Sequence, residues 1–202
     1  MAEAPRVGRS LVLATRNPHK LREFGRLLSP AGIGVMALPD GVELPPEVGD
    51  TFAANAIAKA RAGAAATGLV TVADDSGIEA EALGGRPGVR SARYAGPGAG
   101  DRENLIKLIC EVPVGSRLRY VCALALAIPG RAGEPVVFCG RCEGRMAGAA
   151  AGSRGFGYDP VFVPDGDWGG RTMAQLGDAE KDSISHRGRA VAGLVAWLSR
   201  ES

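Results

Sequence analysis

The stretch Leu69-Val-Thr-Val-Ala-Asp74-Asp75-Ser76-Gly77 constrains this chain more than any other. Mostly β-branched and apolar residues run directly into two carboxylates, a hydroxyl and a glycine. Such a run reads as a strand, Leu69 to Ala73, covered on both faces, and strands of that kind belong to α/β folds with helices on both sides of a sheet. Ligands of α/β sheets gather where strands end, which is where this run turns polar. Adjacent carboxylates repel each other, so keeping both is useful where a divalent cation or a proton in transit must be handled. A polar turn in which Asp74 or Asp75 caps a neighbouring segment is the alternative at this point, because Asp, Ser and Gly are ordinary turn residues.

The rest of the chain alternates strands and helices. Leu11 to Ala14 reads as a short buried strand and Lys20 to Leu28 as the helix after it. Asp50 or Thr51 can cap a helix running to Thr67, with Phe52, Ala56, Ile57, Ala60 and Ala64 on one face and Gly68 as its stop. Asp101 is placed to cap a further helix carrying Leu105, Leu108 and Ile109. From Tyr120 to Ile128 larger and smaller residues alternate, the pattern of a central strand with less room on one face. Val136 to Glu143 pairs with it across the turn Pro129 to Pro135. A glycine-rich loop, Gly144 to Gly157, then leads to a short strand, Val161 to Val163, and a last helix, Ser185 to Trp197.

At 202 residues the chain is expected to form one domain, either undivided or as two lobes sharing a sheet, with length enough for a real core. A net charge of +2 gives no footing for nucleic acid or a membrane surface as partner. The longest apolar run, Val121 to Ile128, is too short to span a bilayer. Met1 to Ser10 is polar and charged, so it reads as an N-terminal extension rather than a targeting segment. The cysteines, Cys110, Cys122, Cys139 and Cys142, are then expected to be reduced thiols of a cytoplasmic protein. Cys139-Gly-Arg-Cys142 has redox or zinc spacing, but no histidine lies near it in sequence, and small strand residues are the preferred reading.

Three further groups carry chemistry. Thr15-Arg-Asn17-Pro-His-Lys20 sits between a strand and its helix, where free amides and the helix dipole suit a phosphate. The Walker pattern is absent, and helix capping by Asn17 is the competing reading. Only four of the 24 cations are lysine, and Lys20 and Lys181 both fall in candidate motifs, a hint that a compact charge is wanted there. In Gly155-Phe-Gly-Tyr-Asp-Pro160 two glycines bracket an aromatic ring that can stack on a base, or else anchor a core. In Glu180-Lys181-Asp-Ser183-Ile-Ser185-His186-Arg187, Ser183 or Ser185 can cap the last helix. His186 and Arg187 then fall in its first turn, where cations are unfavourable unless an anion or electron-rich ligand sits opposite.

Together, Thr15-x-Asn17-x-x-Lys20, Glu47-x-Gly-x-Thr51-Phe-x-x-Asn55-Ala-x-x-Lys59-Ala, Ala73-Asp-Asp-Ser-Gly77, Ser91-Ala-Arg-Tyr94, Gly155-Phe-Gly-Tyr-Asp-Pro160 and Ser185-His-Arg187 closely resemble the inosine/xanthosine triphosphate pyrophosphatases. The resemblance runs from Leu11 to Leu198 in order and spacing. It implies an α/β fold with a long mixed β-sheet flanked by helices, two lobes with an active-site cleft between them, and usually a homodimer. It also implies Mg²⁺-dependent hydrolysis of non-standard purine nucleoside triphosphates (ITP, dITP, XTP) to the monophosphate and pyrophosphate. Carried over by position, Thr15, Asn17 and Lys20 bind the triphosphate with loop amides around Arg16 and His19. Glu47 and Asp75 hold Mg²⁺, and Asp75 also accepts the proton of the attacking water. Ser76 lies beside the nucleotide, and Phe156, Gly157, Tyr158, Asp159, Lys181, His186 and Arg187 form the base and sugar pocket. Asp74, on the opposite strand face, is kept as a supporting or second-metal residue. The chain departs from common members in Arg16, where glycine is frequent, and in Pro18-His19, where Pro18 removes one amide donor. A related pyrophosphatase for another nucleotide, or a nucleotide sensor without catalysis, are the rival readings.

Overall fold

The computed structural model describes residues 10–131 and 133–201, so the expected N-terminal extension, Ser10 apart, lies outside the described residues. Six strands form one sheet: β1 (Ser10–Leu13), β2 (Gly34–Ala37), β3 (Thr71–Ala80), β4 (Arg117–Ala127), β5 (Val136–Met146) and β6 (Phe162–Pro164). Their order is β2-β1-β3-β4-β5-β6. β1 is parallel to both β2 and β3, whereas β5 and β6 are antiparallel, so the sheet is mixed. Among the described residues five α-helices flank it: α1 (Pro18–Leu28), α2 (Phe52–Thr67), α3 (Asp101–Glu111), α4 (Asp178–Ile184) and α5 (His186–Glu201). No helix among the described residues is long and apolar enough to cross a membrane.

The chain divides into two compact units. The first takes the residues up to Asp75, Cys122–Cys139 and Arg187 onward. Its core joins Leu11, Leu13, Val72, Leu124 and Leu126 of the strands to Phe24 and Leu28 of α1 and Val191 and Leu194 of α5. The small residues of α2 let that helix lie close to its neighbours. A Cβ on Gly63 would come within 2.8 Å of Thr71 Cγ2 and 3.1 Å of Ala14 Cβ. The second unit takes Ser76–Val121 and Gly140–His186. There Ile78, Leu118, Tyr120, Met146 and Phe162 pack with Leu108 of α3 and with Met173 and Leu176.

Several boundaries differ from those read in the sequence. The strand placed at Leu69 to Ala73 runs instead from Thr71 to Ala80, so Asp74 and Asp75 are inside β3 rather than at a turn. Their polar groups have partners within the fold, and Gly77 stays in the strand because backbone closes on it there. A Cβ on Gly77 would sit 2.6 Å from the Gly88 carbonyl oxygen. α1 begins at Pro18 rather than Lys20, since Asn17 caps it and proline is tolerated at the first helical position. β4 starts at Arg117 rather than Tyr120, and β5 continues past Glu143 to Met146, which shortens the glycine-rich loop. β6 is Phe162–Pro164 rather than Val161 to Val163, and α5 runs to Glu201 rather than Trp197. Asp101 does not cap α3: Gly100 is the cap position, and its N–H is taken by Glu103 at 2.8 Å. Ile57 is only half-buried, because Asn55 and Lys59 occupy the buried face of α2 instead. β2 and α4 have no counterpart in the sequence reading. Cys139 and Cys142 lie along β5 as strand residues, Cys139 exposed and Cys142 buried rather than both half-buried, and neither is in a disulfide.

Candidate active site

The β1–α1 junction places Thr15, Arg16, Asn17, His19 and Lys20 at the head of α1. Asn17 Oδ1 accepts the His19 N–H at 2.8 Å and the Lys20 N–H at 3.3 Å. Thr15 Oγ1 accepts the Asn17 N–H at 3.2 Å. The capping reading of Asn17 is therefore met, and the side-chain amino group of Asn17 and the hydroxyl proton of Thr15 remain donors by type. Arg16 braces the loop that follows β2, its guanidinium donating to the carbonyls of Leu38 at 2.9 Å, Pro39 at 2.8 Å and Val42 at 2.6 Å. His19 is exposed, with Nδ1 2.9 Å from Arg22 Nη2. Lys20 Nζ lies 3.0 Å from Asp74 Oδ2 and, having three protons, can also serve a phosphate.

Neighbours in sequence, Asp74 and Asp75 are set apart in electrostatics. Alternation along β3 sends their side chains to different partners. Asp74 Oδ2 lies 3.0 Å from Lys20 Nζ and 3.4 Å from Arg187 Nε, and the Asp74 carbonyl accepts Lys59 Nζ at 2.7 Å. Burial alone would push the Asp74 carboxyl up, but Lys20, Arg187 and Lys59 hold it well below the usual range. Asp75 Oδ2 accepts the Asn55 amide at 2.8 Å. Its carboxyl is pushed up, chiefly by burial and also by the charge of Glu47, with Lys59 and Asn55 opposing. Lys59 in turn binds Glu47 Oε1 directly. Burial disfavours its charge, yet Asp74, Glu47 and Asp75 raise its pKa on balance. The network closes with Glu23, whose Oε2 accepts Arg187 Nη1 at 3.0 Å. Three cations, Lys20, Lys59 and Arg187, thus stand among four carboxylates, Glu23, Glu47, Asp74 and Asp75.

The cations are not shared evenly. Asp74 has protein cations at contact distance, while Asp75 and Glu47 raise one another's energy. Glu47 and Asp75, two carboxylates near enough for the charge of one to raise the other, suit a hard divalent cation, which commonly takes one or two carboxylates and completes its shell with water and substrate phosphates. The donor set thus fits Mg²⁺. No group of three acidic, histidine or cysteine side chains able to hold a metal alone occurs among the described residues.

In the second unit, the loop before β6 is organised around Asp159, which is 3% exposed. Asp159 Oδ2 accepts Lys181 Nζ at 2.7 Å and the Phe156 N–H at 3.0 Å, and Oδ1 accepts the Tyr120 hydroxyl at 3.1 Å. Gly155 makes this possible: its φ is +73°, and a Cβ there would meet Asp159 Oδ2 at 2.0 Å. Lys181 Nζ lies 5.5 Å from the centre of the half-buried Phe156 ring. The buried His186 ring stacks on Tyr120 with centroids 4.7 Å apart. Tyr158 is a core residue whose hydroxyl donates to the Ser91 carbonyl at 2.7 Å, and the Gly157 N–H is taken by Asp101 at 3.0 Å. Ser76 is half-buried in β3. Phe156, Asp159, Lys181 and His186 therefore belong to one neighbourhood of this unit. Arg187, read from sequence with them, belongs to the first unit and is committed there to Glu23 and Asp74.

A profile of the Ham1 family matches residues 11–197. The chain belongs to the Ham1 family. Among its relatives, a protein of Mycobacterium tuberculosis named dITP/XTP pyrophosphatase is 50% identical over 197 residues, 93% of this chain and 94% of that protein. A protein of Geobacillus kaustophilus with the same name is 46% identical over 193 residues, 92% of each chain. The solved structure of a HAM1 protein from Coxiella burnetii superposes with a TM-score of 0.82 at 38% identity, covering 95% of this chain and 98% of the other.

Asn55 and Lys59 received no role from sequence, although both stand in the motif that carries the resemblance. Their signal was available: polar residues at i and i+4 on the face of α2 that Phe52, Ala56 and Ala60 bury. Glu23 was missed for a different reason, since its partner Arg187 is 164 residues away.

Proposed function

We propose that the protein is a nucleoside triphosphate pyrophosphatase acting on ITP, dITP and XTP, cleaving between the α- and β-phosphates to release the monophosphate and pyrophosphate. The observation that carries this reading is the opposed setting of Asp74 and Asp75. Asp74 faces Lys20 and Arg187, which hold its carboxyl low, while Asp75 stands on Asn55 with its carboxyl pushed up by burial and by Glu47. Relatives that share half of the sequence and bear the name dITP/XTP pyrophosphatase support the choice of substrate.

Glu47 and Asp75 would hold Mg²⁺, which when bound neutralises phosphate charge and lowers the barrier to attack. Asp75, whose carboxyl is pushed up, is a better proton acceptor than an ordinary aspartate and would take the proton of the attacking water. Lys20, with Thr15 and Asn17 at the head of α1, would orient the phosphates, the loop amides near Arg16 and His19 assisting. Ser76 would lie beside the nucleotide, and Gly157 and Tyr158 would hold the pocket's backbone.

In the second unit Phe156 offers a face on which a purine stacks. The Lys181 ammonium close to that face is donor-only, as is a protonated His186, so a 6-keto oxygen would be accepted and a 6-amino group left donor against donor. Arg187 would complete the base and sugar pocket with the N–H donors that its bonds to Glu23 and Asp74 do not use. The reading includes a single domain working as a homodimer in the cytoplasm, where cysteines outside disulfides persist as thiols.

The test is product analysis with Mg²⁺ across ITP, XTP, dITP, ATP and GTP. Inosine monophosphate and pyrophosphate in equal amounts are expected from ITP, with ATP and GTP turned over far more slowly. Orthophosphate with a diphosphate product would overturn it.

A further inference from the structure

Asn55 lies on the first turns of α2, is 3% exposed, and uses both ends of its amide. Oδ1 accepts the Gly49 N–H at 2.8 Å, and Nδ2 donates to Asp75 Oδ2 at 2.8 Å. The amide cannot turn over: a backbone N–H only donates, so Oδ1 must face Gly49, and the amino group then faces the carboxylate. Gly49 follows Glu47 by two residues in a segment without helix or strand. A single buried side chain therefore ties the segment bearing one carboxylate to the other carboxylate.

The tie requires close approach. A Cβ on Gly49 would stand 2.7 Å from Asn55 Oδ1 and 3.0 Å from Ala54 Cβ, a fit that glycine allows and other residues do not. One helical turn further on, Lys59 reaches Glu47 and the Asp74 carbonyl from the same face of α2. Lys59 supplies charge to the pair, whereas Asn55 is neutral and supplies only direction. Its amide adds nothing to compensate the mutual repulsion of Glu47 and Asp75 beyond one hydrogen bond.

We infer that Asn55 is a positioning residue that sets the spacing and aim of Glu47 and Asp75 as a two-carboxylate cation site. It fixes the Glu47 segment through Gly49 and the Asp75 carboxylate through Nδ2. This role rests on the metal-assisted reading above. Hydrogen bonds that hold ligating groups in place commonly matter by about 10–100-fold in metal affinity or activity.

The experiment measures Mn²⁺ binding by electron paramagnetic resonance, with the non-hydrolysable α,β-methylene analogue of ITP present, for wild type, Asn55→Ala and Gly49→Ala. The Mg²⁺ concentration for half-maximal pyrophosphate release is measured alongside. Gly49→Ala disturbs the same tie from its other end while leaving the Asn55 side chain intact, so the two variants test one link independently. Both should bind Mn²⁺ roughly tenfold or more weakly and need correspondingly more Mg²⁺. A role limited to helix or core stability would lower the melting temperature and leave Mn²⁺ affinity untouched. Wild-type Mn²⁺ affinity in either folded variant, with the wild type itself binding Mn²⁺, overturns the role of Asn55 alone. A wild type that binds no Mn²⁺ overturns the metal site, and this role with it.

Discussion

The contrast between Asp74 and Asp75 can be drawn out by changing each to asparagine. Asp74→Asn keeps the shape but removes the charge that faces Lys20 at 3.0 Å and Arg187 at 3.4 Å, both largely buried. Breaking a buried ion pair by removing one partner costs about 3–5 kcal/mol, because the other charge is left uncompensated. For a chain of this length each kcal/mol moves the melting temperature by about 2–4 °C, so Asp74→Asn should melt roughly 6–20 °C lower. Asp75→Asn does the reverse. The wild-type carboxyl is held charged against burial and against Glu47, and a neutral amide relieves both while still offering Asn55 an oxygen. Its melting temperature should stay within about 4 °C of wild type or rise, a change of about 1 kcal/mol. Activity should follow the opposite order. Asp75→Asn should lose about 10²–10⁴-fold in turnover, the range for a lost general base, with a further loss from metal binding. Scanning calorimetry without metal, paired with pyrophosphate release at saturating Mg²⁺, measures both quantities. Equal thermal losses in the two variants, or normal turnover in Asp75→Asn, would refute the division of labour.

Three other outcomes follow from the same geometry. Gly155→Ala forces a left-handed backbone on alanine and drives its Cβ into Asp159, so it should cost about 1–3 kcal/mol in stability and raise KM for ITP through the Phe156 loop. Calorimetry with initial-rate kinetics would detect both effects. Lys181→Met strands the buried Asp159 carboxylate and should lower stability by about 3–5 kcal/mol, with the ITP-over-ATP ratio of kcat/KM falling at the same time. Chelation of metal by EDTA should stop pyrophosphate release but lower the melting temperature by no more than about 4 °C, since Lys59 already partners Glu47 and the Asp74 carbonyl without metal.

What the sequence disclosed depended on the range over which its signals act. Apolar periodicity and caps are local, so β1, α2, β4 and α5 could be read, with errors mainly at their ends. β3 was cut short because Asp-Asp-Ser-Gly has turn composition. Only the partners that reach it from α1, α2 and α5 explain why it stays extended. β2 is short and has mostly exposed or half-buried residues, so it carries no strong alternation. Arg187 illustrates the limit most clearly. Its guanidinium reaches Glu23 and Asp74, residues that no spacing rule connects to it.

The scarcity of lysine has a chemical consequence of its own. None of the four lysine side chains is exposed: Lys59 and Lys181 are buried, and Lys20 and Lys107 are half-buried. Lys107 donates to the Tyr94 carbonyl at 3.0 Å and lies over that ring, and the other three sit in ion pairs. Positive charge on the described surface is therefore carried by arginine, which acylating reagents and metabolites do not readily attack. Acetylation or carbamylation of the buried Lys59 and Lys181 must wait for local opening. When it occurs at Lys20, Lys59 or Lys181, it removes a charge on which a buried carboxylate depends. Lys59 and Lys181 should thus resist amine modification in the folded enzyme, and an acyl group found on either marks a molecule that has already opened locally.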